Sequence, residues 1–250
     1  MAGELDDRVA IVTGGGRGIG RAIALGYAKA GADVLISVAR NPDQATEVVA
    51  LAEPLPGTIR AVQADVTVAG DVDRLVQRAL DVRGRIDVLI NNAARGMRFV
   101  NERFMTDPQP FWEADPVAWS MVIETNIVGV FRMTRAVVPH MLAAGRGSII
   151  NVTVNEATMT RRGFSPYGPS KAALEAMTRV WEAELEGSGV AINLLAPGGA
   201  TATGMVPDDV PDWVELLDPE IIVPAALHLA LTQSSGERIL ATEWNDRGRG

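Results

Sequence analysis

The sequence predicts an α/β fold, a doubly wound parallel sheet with helices on both faces, formed as one domain over all 250 residues. Three observations carry this. Short β-rich runs are apolar almost throughout, as strands buried on both faces must be. Each run is separated from the next by a longer segment of helical period. A glycine-rich turn falls between the first run and the first helical segment, where such folds bind ligands.

The elements follow in order. Residues 8–13 (RVAIVT) read as a strand, 18–30 as a helix and 33–38 (DVLISV) as the second strand. A short helix at 47–52 and a strand at 58–63 come next, then a helix at 70–82 and a strand at 86–90 (IDVLI). A long helix covers 117–143, followed by a strand at 148–153, a helix at 168–186 and a strand at 190–195. Beyond Pro197 lie a loop, a helix at 224–231 and a last strand at 238–241. No repeat, low-complexity tract or linker marks a second domain.

Residues 95–116 (RGMRFVNERFMTDPQPFWEADP) break the rhythm with no clean period. Uninterrupted loops beyond about 12–15 residues are uncommon in compact domains and are usually functional or disordered. This insertion holds Phe99, Phe104, Phe111 and Trp112, four of the chain's twelve aromatics (five Phe, five Trp, two Tyr), so it is expected to pack on something.

Composition narrows function. The chain is 47% hydrophobic and 22% charged, the balance of a globular protein. With 31 acidic against 23 basic residues its net charge is −8, which opposes binding to nucleic acid or anionic membranes. There is no cysteine, which excludes disulfides and thiol chemistry and fits a reducing, cytoplasmic setting. The start MAGELDDR has no apolar stretch of the signal-peptide kind, and no run is expected to span a membrane. His140 and His228 have no ligand-spaced partners, so no metal site is expected, and the acids Asp71, Asp73 and Asp81 read as a solvated helix face.

The turn Thr13-Gly14-Gly15-Gly16-Arg17-Gly18-Ile19-Gly20 allows backbone N–H groups and a helix N-terminus to approach a pyrophosphate. It is not GxGxxG, because Ile19 takes the last glycine position. Nor is it a GxxxxGK[ST] loop, because Arg21 and Ala22 follow Gly20.

The pattern TGxxxGIG resembles the cofactor signature of the short-chain dehydrogenase/reductase family, with its Rossmann-like fold, and the rest of the chain extends the likeness over roughly residues 5–241. Asp65-Val66 falls where the family contacts adenine. Asn91-Asn92-Ala93-Ala94 is similar to its NNAG motif with Ala94 replacing glycine. Tyr167-Gly168-Pro169-Ser170-Lys171 matches YxxxK, and Pro197-Gly198 follows the sixth strand. The likeness is to 3-oxoacyl reductases and related alcohol and sugar dehydrogenases. It implies a hydride transfer between a nicotinamide and a small-molecule carbonyl or secondary alcohol. A cofactor would be held by Gly14, Gly16, Arg17, Gly18, Ile19, Gly20, Arg40, Asp65, Val66, Asn92, Ala93, Tyr167, Lys171, Pro197 and Gly198.

The resemblance makes Tyr167 the general acid/base. Lys171, four residues on and hence on the same helix face, lowers the pKa of Tyr167 and holds the nicotinamide ribose. Bringing a phenol from ~10 to ~7 needs roughly 4 kcal/mol of differential stabilisation. Asn126 takes part in a water-mediated proton relay, or else is a helix polar residue bonding a carbonyl. The second strand ends at Val38, where NAD-preferring relatives place an acid, and Arg40 and Arg17 instead suit a 2′-phosphate. NADP(H) is therefore the expected cofactor, with NAD(H) possible. The resemblance also implies a homo-oligomer, a tetramer or a dimer, through the helices holding Asn126 and Tyr167. The apolar stripe of Val128, Phe131 and Val138 would build core or subunit contact.

One departure stands out. The family's serine lies thirteen residues before the tyrosine, and here that position is Val154. Thr153 points to the opposite face of a regular strand. Asn155 is the favoured replacement donor, with Thr158 more distant. A nucleotide-binding pseudoenzyme is the rival reading. Loop 95–116 is expected over the nicotinamide end, with subunit contact as its competing role, and Arg95 or Arg98 could bind an anion.

Overall fold

The computed structural model describes residues 3–248. Seven strands form one sheet: β1 (Val9–Val12), β2 (Asp33–Val38), β3 (Thr58–Gln63), β4 (Val88–Asn91), β5 (Gly147–Val152), β6 (Val190–Ala196) and β7 (Arg238–Leu240). Their spatial order is β3-β2-β1-β4-β5-β6-β7, and every pairing is parallel.

Strand period explains the two layers. In β1, Ala10 and Val12 enter one core with Val34, Ile36, Val88 and Ile90, while Val9 and Ile11 enter the other with Leu35 and Leu89. The first core is roofed by α1 (Gly18–Lys29), α2 (Pro42–Ala52) and α8 (Val223–Leu231). Fully buried Tyr27 ties two of these helices, its hydroxyl donating to the Ala226 carbonyl at 2.7 Å. The second core is covered by α3 (Ala69–Arg83) and α5 (Val130–Ala144) through Leu75, Met133 and Met141, with Trp181 of α7 (Tyr167–Glu184) at its margin.

Several boundaries differ from expectation. Helix α2 starts at Pro42 rather than 47, because Asn41 accepts from the Asp43 N–H and Pro42 suits the first helical turn. Two short helices were not anticipated, α6 (Glu156–Met159) and α9 (Ala241–Arg247). The long helix runs from Pro116 to Ala144, but α4 (Pro116–Ile123) and α5 are joined by a π turn at Glu124–Gly129, a feature that tends to mark functional positions. By length and composition alone these 29 residues could cross a membrane, a test that core helices also pass. Part of their apolar surface has partners within the chain, since α5 packs on α3, β4 and β5, and α4 on α7, while Val117, Phe131 and Leu142 stay exposed.

Loop 95–116 is packed and contains two short turns, Met97–Phe99 and Phe111–Glu113. Phe104 meets Phe164 edge-on at 5.2 Å, and Phe111 and Trp112 also meet edge-on at 5.2 Å but stay exposed. Arg98 pairs with Asp208 at 3.0 Å and Thr106 donates to Asp209 at 2.8 Å, tying this loop to the segment after β6.

Candidate active site

The sheet order reverses direction between β1 and β4, so their carboxyl ends diverge into a crevice. A clasp holds its floor. Thr13 Oγ1 donates to Ile90 O and accepts from the N–H groups of Asn92 and Ala93, and Asn92 Nδ2 donates to Thr13 O and Gly14 O. The Asn92 amide nitrogen is thus spent on the clasp. Thr13 was not singled out from sequence, although it opens the glycine motif.

The glycine turn follows. Gly14 sits at φ +66, where side chains are strained, and its N–H donates to Ser37 Oγ at 3.1 Å. A Cβ on Gly20 would lie 2.4 Å from Gly14 O and 2.5 Å from Asn92 Nδ2. Only glycine fits this tight cradle at the start of α1, which suits a pyrophosphate laid against backbone N–H groups. Ile19 packs on the core beneath it.

The other expected cofactor positions surround the crevice unevenly. Arg40 is exposed after β2. Asp65 accepts from Thr67 N and Oγ1 and faces Arg95 Nη2 at 3.8 Å. The Val66 side chain is buried in the second core. Gly198 packs on Thr242 beyond the end of β6, and Pro197 O accepts from Thr242 N. Arg17 turns toward the segment after β6, its Nη1 2.8 Å from where a Gly204 Cβ would stand. Asp71 is no mere surface acid, since it accepts the Asp65 N–H at 2.9 Å.

Across the crevice, Tyr167 opens α7 and Lys171 lies one turn on, its Nζ 5.9 Å from the Tyr167 ring centre. Lys171 is buried and donates to Val152 O at 2.8 Å. Asn126, in the π turn, is also buried. Its Oδ1 accepts from Arg95 N, and its Nδ2 donates to Arg95 O and Ser170 Oγ. Its side chain is therefore committed to the backbone of Arg95 and to α7.

The expected lowering of the Tyr167 pKa is absent from this arrangement. Burial pushes the Tyr167 phenol up to about 12 and the Lys171 ammonium down to about 8. Desolvation dominates because it disfavours the charged form of each group. Tyr167 keeps part of its surface accessible, so its burial is the less complete of the two.

The end of β5 is pinned at three successive residues. Lys171 takes Val152 O, Thr153 Oγ1 donates to Glu175 Oε1 at 2.9 Å, and Arg238 Nη2 donates to Val154 O at 3.0 Å. The Arg238 guanidinium also pairs with buried Glu175 at 3.1 Å. Sequence reasoning missed Glu175 and Arg238, which share no local motif.

Asn155 caps α6. Its Oδ1 accepts from Thr158 N at 3.1 Å and from Thr158 Oγ1. Because an N–H must meet the oxygen, the amide orientation is fixed, and no hydrogen bond among the described residues uses Nδ2. Helix α6 lies directly on the Tyr167 turn, with Met159 O 2.4 Å from where a Gly168 Cβ would be. The Thr158 hydroxyl is spent inside the cap.

Loop 95–116 reaches this side as well. Met97, Phe104 and Phe164 form a small cluster against which Val100, Met105 and Tyr167 pack. Arg98 is engaged by Asp208, and Arg95 by Met121 O and Thr125 Oγ1. A cavity of about 760 Å³ lies elsewhere, along the β3 edge beside α3, lined by residues including Arg60, Arg74 and Arg78. It is remote from the Tyr167–Lys171 pair and open to solvent.

Known proteins share this architecture. The sequence profile described as short chain dehydrogenase matches residues 8–212. A 3-oxoacyl-[acyl-carrier-protein] reductase of Synechocystis is 38% identical over 194 residues, spanning 78% of this chain and 74% of the relative. Among solved structures, a dehydrogenase/reductase from Sinorhizobium meliloti superposes with a TM-score of 0.82 at 28% identity, covering 94% of each chain. A metagenomic short-chain oxidoreductase in complex with NADP gives 0.79 at 27% identity, covering 95% of this chain and 97% of the other.

Proposed function

This chain belongs to the short chain dehydrogenase family of oxidoreductases acting on carbonyl and CH–OH groups, and we propose that it is NADP(H)-dependent with Tyr167 as its general acid/base. The observation that carries the reading is the Tyr167–Lys171 pair, one helical turn apart at the carboxyl edge of the sheet, with Lys171 anchored on Val152 O. When bound, the nicotinamide supplies or accepts the hydride.

The residues of this chain do the rest. The Gly14–Gly20 cradle would hold the pyrophosphate, Arg40 the 2′-phosphate, and Asp65 the adenine edge. In reduction, Tyr167 would give its phenolic proton to the carbonyl oxygen of the substrate. In oxidation it takes that proton back. Burial keeps the phenol protonated, suited to acid catalysis, and Lys171 together with a cationic nicotinamide favours the phenolate in the reverse direction. Asn155 Nδ2 donates to the substrate oxygen in place of the hydroxyl that Val154 lacks. Asn126 is a positioning residue that fixes the exit of β4.

The same reading includes a homo-oligomer. Phe131 and Trp181, 6.5 Å apart on α5 and α7, belong to a partly exposed apolar face that a second copy would cover. Light scattering of the purified chain checks this.

Steady-state oxidation of NADPH and NADH over a panel of ketones tests the activity. The panel is headed by 3-oxoacyl thioesters because the Synechocystis relative bears that name. Turnover on at least one ketone, with a preference for NADPH, supports the reading. Val154 favours one rival, a nucleotide-binding pseudoenzyme, and tight NADPH binding without turnover on any ketone would establish it.

A further inference from the structure

Phe99 stands on the first short turn after β4, and two guanidiniums lie over its ring. Arg95 Cζ is 5.2 Å and Arg40 Cζ 5.9 Å from its centre, both within cation–π range. Arg40 follows β2 and Arg95 follows β4, the two strands that flank β1 and its glycine turn. The ring therefore links the two walls of the crevice on the side of Arg40 and Asp65.

These two cations are weakly neutralised. Arg40 pairs with no carboxylate among the described residues, and Arg95 has only Asp65, at 3.8 Å. The Arg95 guanidinium is held below its usual range, by burial first and by the charge of Arg40 second. The fold thus keeps two like charges close enough to repel. It also fixes one of them firmly, since Arg95 Nη1 donates to Thr125 Oγ1 at 2.6 Å and to Met121 O at 3.2 Å. Those bonds leave its Nε and Nη2 for another acceptor. Arg17, the basic residue of the glycine turn, is turned away toward Gly204.

A doubly charged anion between the guanidiniums would turn their repulsion into attraction, and planar guanidiniums match phosphate oxygens in paired hydrogen bonds. We infer that Arg95 is the second arm, with Arg40, of a grip on the phosphate monoester at the adenosine 2′ position, and that Phe99 holds the two arms together. Loop 95–116 then serves cofactor selection at its start as well as packing beside Tyr167 further on. The inference rests on the NADP(H) reading above.

Calorimetric titration with 2′,5′-ADP and with 5′-ADP separates the two claims. The wild type should bind 2′,5′-ADP at least tenfold more tightly than 5′-ADP. Phe99→Ala and Arg95→Met should each weaken 2′,5′-ADP by roughly tenfold and 5′-ADP by less than about threefold. Phe99→Trp, which keeps a ring for both cations, should retain the preference. If Phe99→Ala and Arg95→Met keep the full preference while Arg40→Ala loses it, this inference is overturned and the NADP(H) reading stands. A wild type that binds both nucleotides alike overturns both. Equal losses for both nucleotides in the Phe99 variants would assign the ring to general support of the crevice and overturn the inference.

Discussion

Thr153 Oγ1 donates to Glu175 Oε1 at 2.9 Å, with both side chains buried. The one hydroxyl next to Val154, just past the end of β5, is thereby turned from the substrate side into a network with Arg238. Removing it should disturb packing and leave chemistry alone. Thr153→Val is expected to lower stability by about 1–2 kcal/mol, since Glu175 loses a partner, with kcat within threefold of wild type. Denaturant unfolding and steady-state kinetics check this, and a hundredfold fall in kcat with intact cofactor binding would make Thr153 the missing donor.

Asn155 divides its two ends between two tasks, and substitutions can separate them. Asn155→Asp keeps the acceptor that caps Thr158 N and removes the donor, so stability should hold while kcat falls by roughly 10²–10³. Asn155→Ala should lose both, with about 1 kcal/mol of stability gone as well. Val154→Ser should raise turnover. Activity in Asn155→Asp equal to wild type would remove Asn155 from the mechanism.

Stability should depend on pH with two opposite slopes. Burial lowers Lys171 from its ordinary 10.5 to about 8, so the unfolded chain holds that proton to higher pH than the folded one. The resulting deficit is full below about pH 8 and disappears as pH rises toward 10.5. Tyr167, raised from 10.0 to about 12, acts in reverse. Its contribution is full below pH 10 and is lost between 10 and 12. Relative to Lys171→Met, the wild type should gain about 2 kcal/mol between pH 8 and 10. Urea unfolding of both proteins across that window is the check, and parallel curves would contradict the buried ammonium.

The ties from Arg98 to Asp208 and from Thr106 to Asp209 join the two loops beside Tyr167. Both are exposed, so each contributes less than about 1 kcal/mol. An Asp208→Ala, Asp209→Ala double variant should raise substrate KM severalfold and leave NADPH affinity within twofold. A loss of NADPH affinity without a change in KM would tie these contacts to the nucleotide alone.

The parts legible in the sequence are those encoded locally. Apolar runs marked the inner strands, because a strand buried on both faces needs continuous hydrophobicity, whereas the edge strand β3 (TIRAVQ) is largely exposed. The Gly14–Gly20 turn and the Tyr167–Lys171 spacing each fit within a few residues. Contacts made across the chain left no such trace: Arg238 reaches Glu175 over 63 positions, and Arg40 meets Phe99 only because a loop crosses the crevice. The π turn holding Asn126 was invisible because one extra residue in a long apolar helix barely disturbs its period. Val154 was legible as an absence, but the division of Asn155 between cap and free amide needed the fold of α6.

The central claim is that Tyr167 transfers the proton. Single-turnover oxidation of NADPH with a ketone substrate, compared between wild type and Tyr167→Phe, tests it most directly. The phenyl ring keeps the packing against Met97 and Phe104 and removes only the hydroxyl. The account predicts NADPH affinity within about twofold and a rate reduced by at least 10³, within the range that loss of general acid–base catalysis costs. A Tyr167→Phe variant that oxidises NADPH within tenfold of the wild-type rate would contradict it.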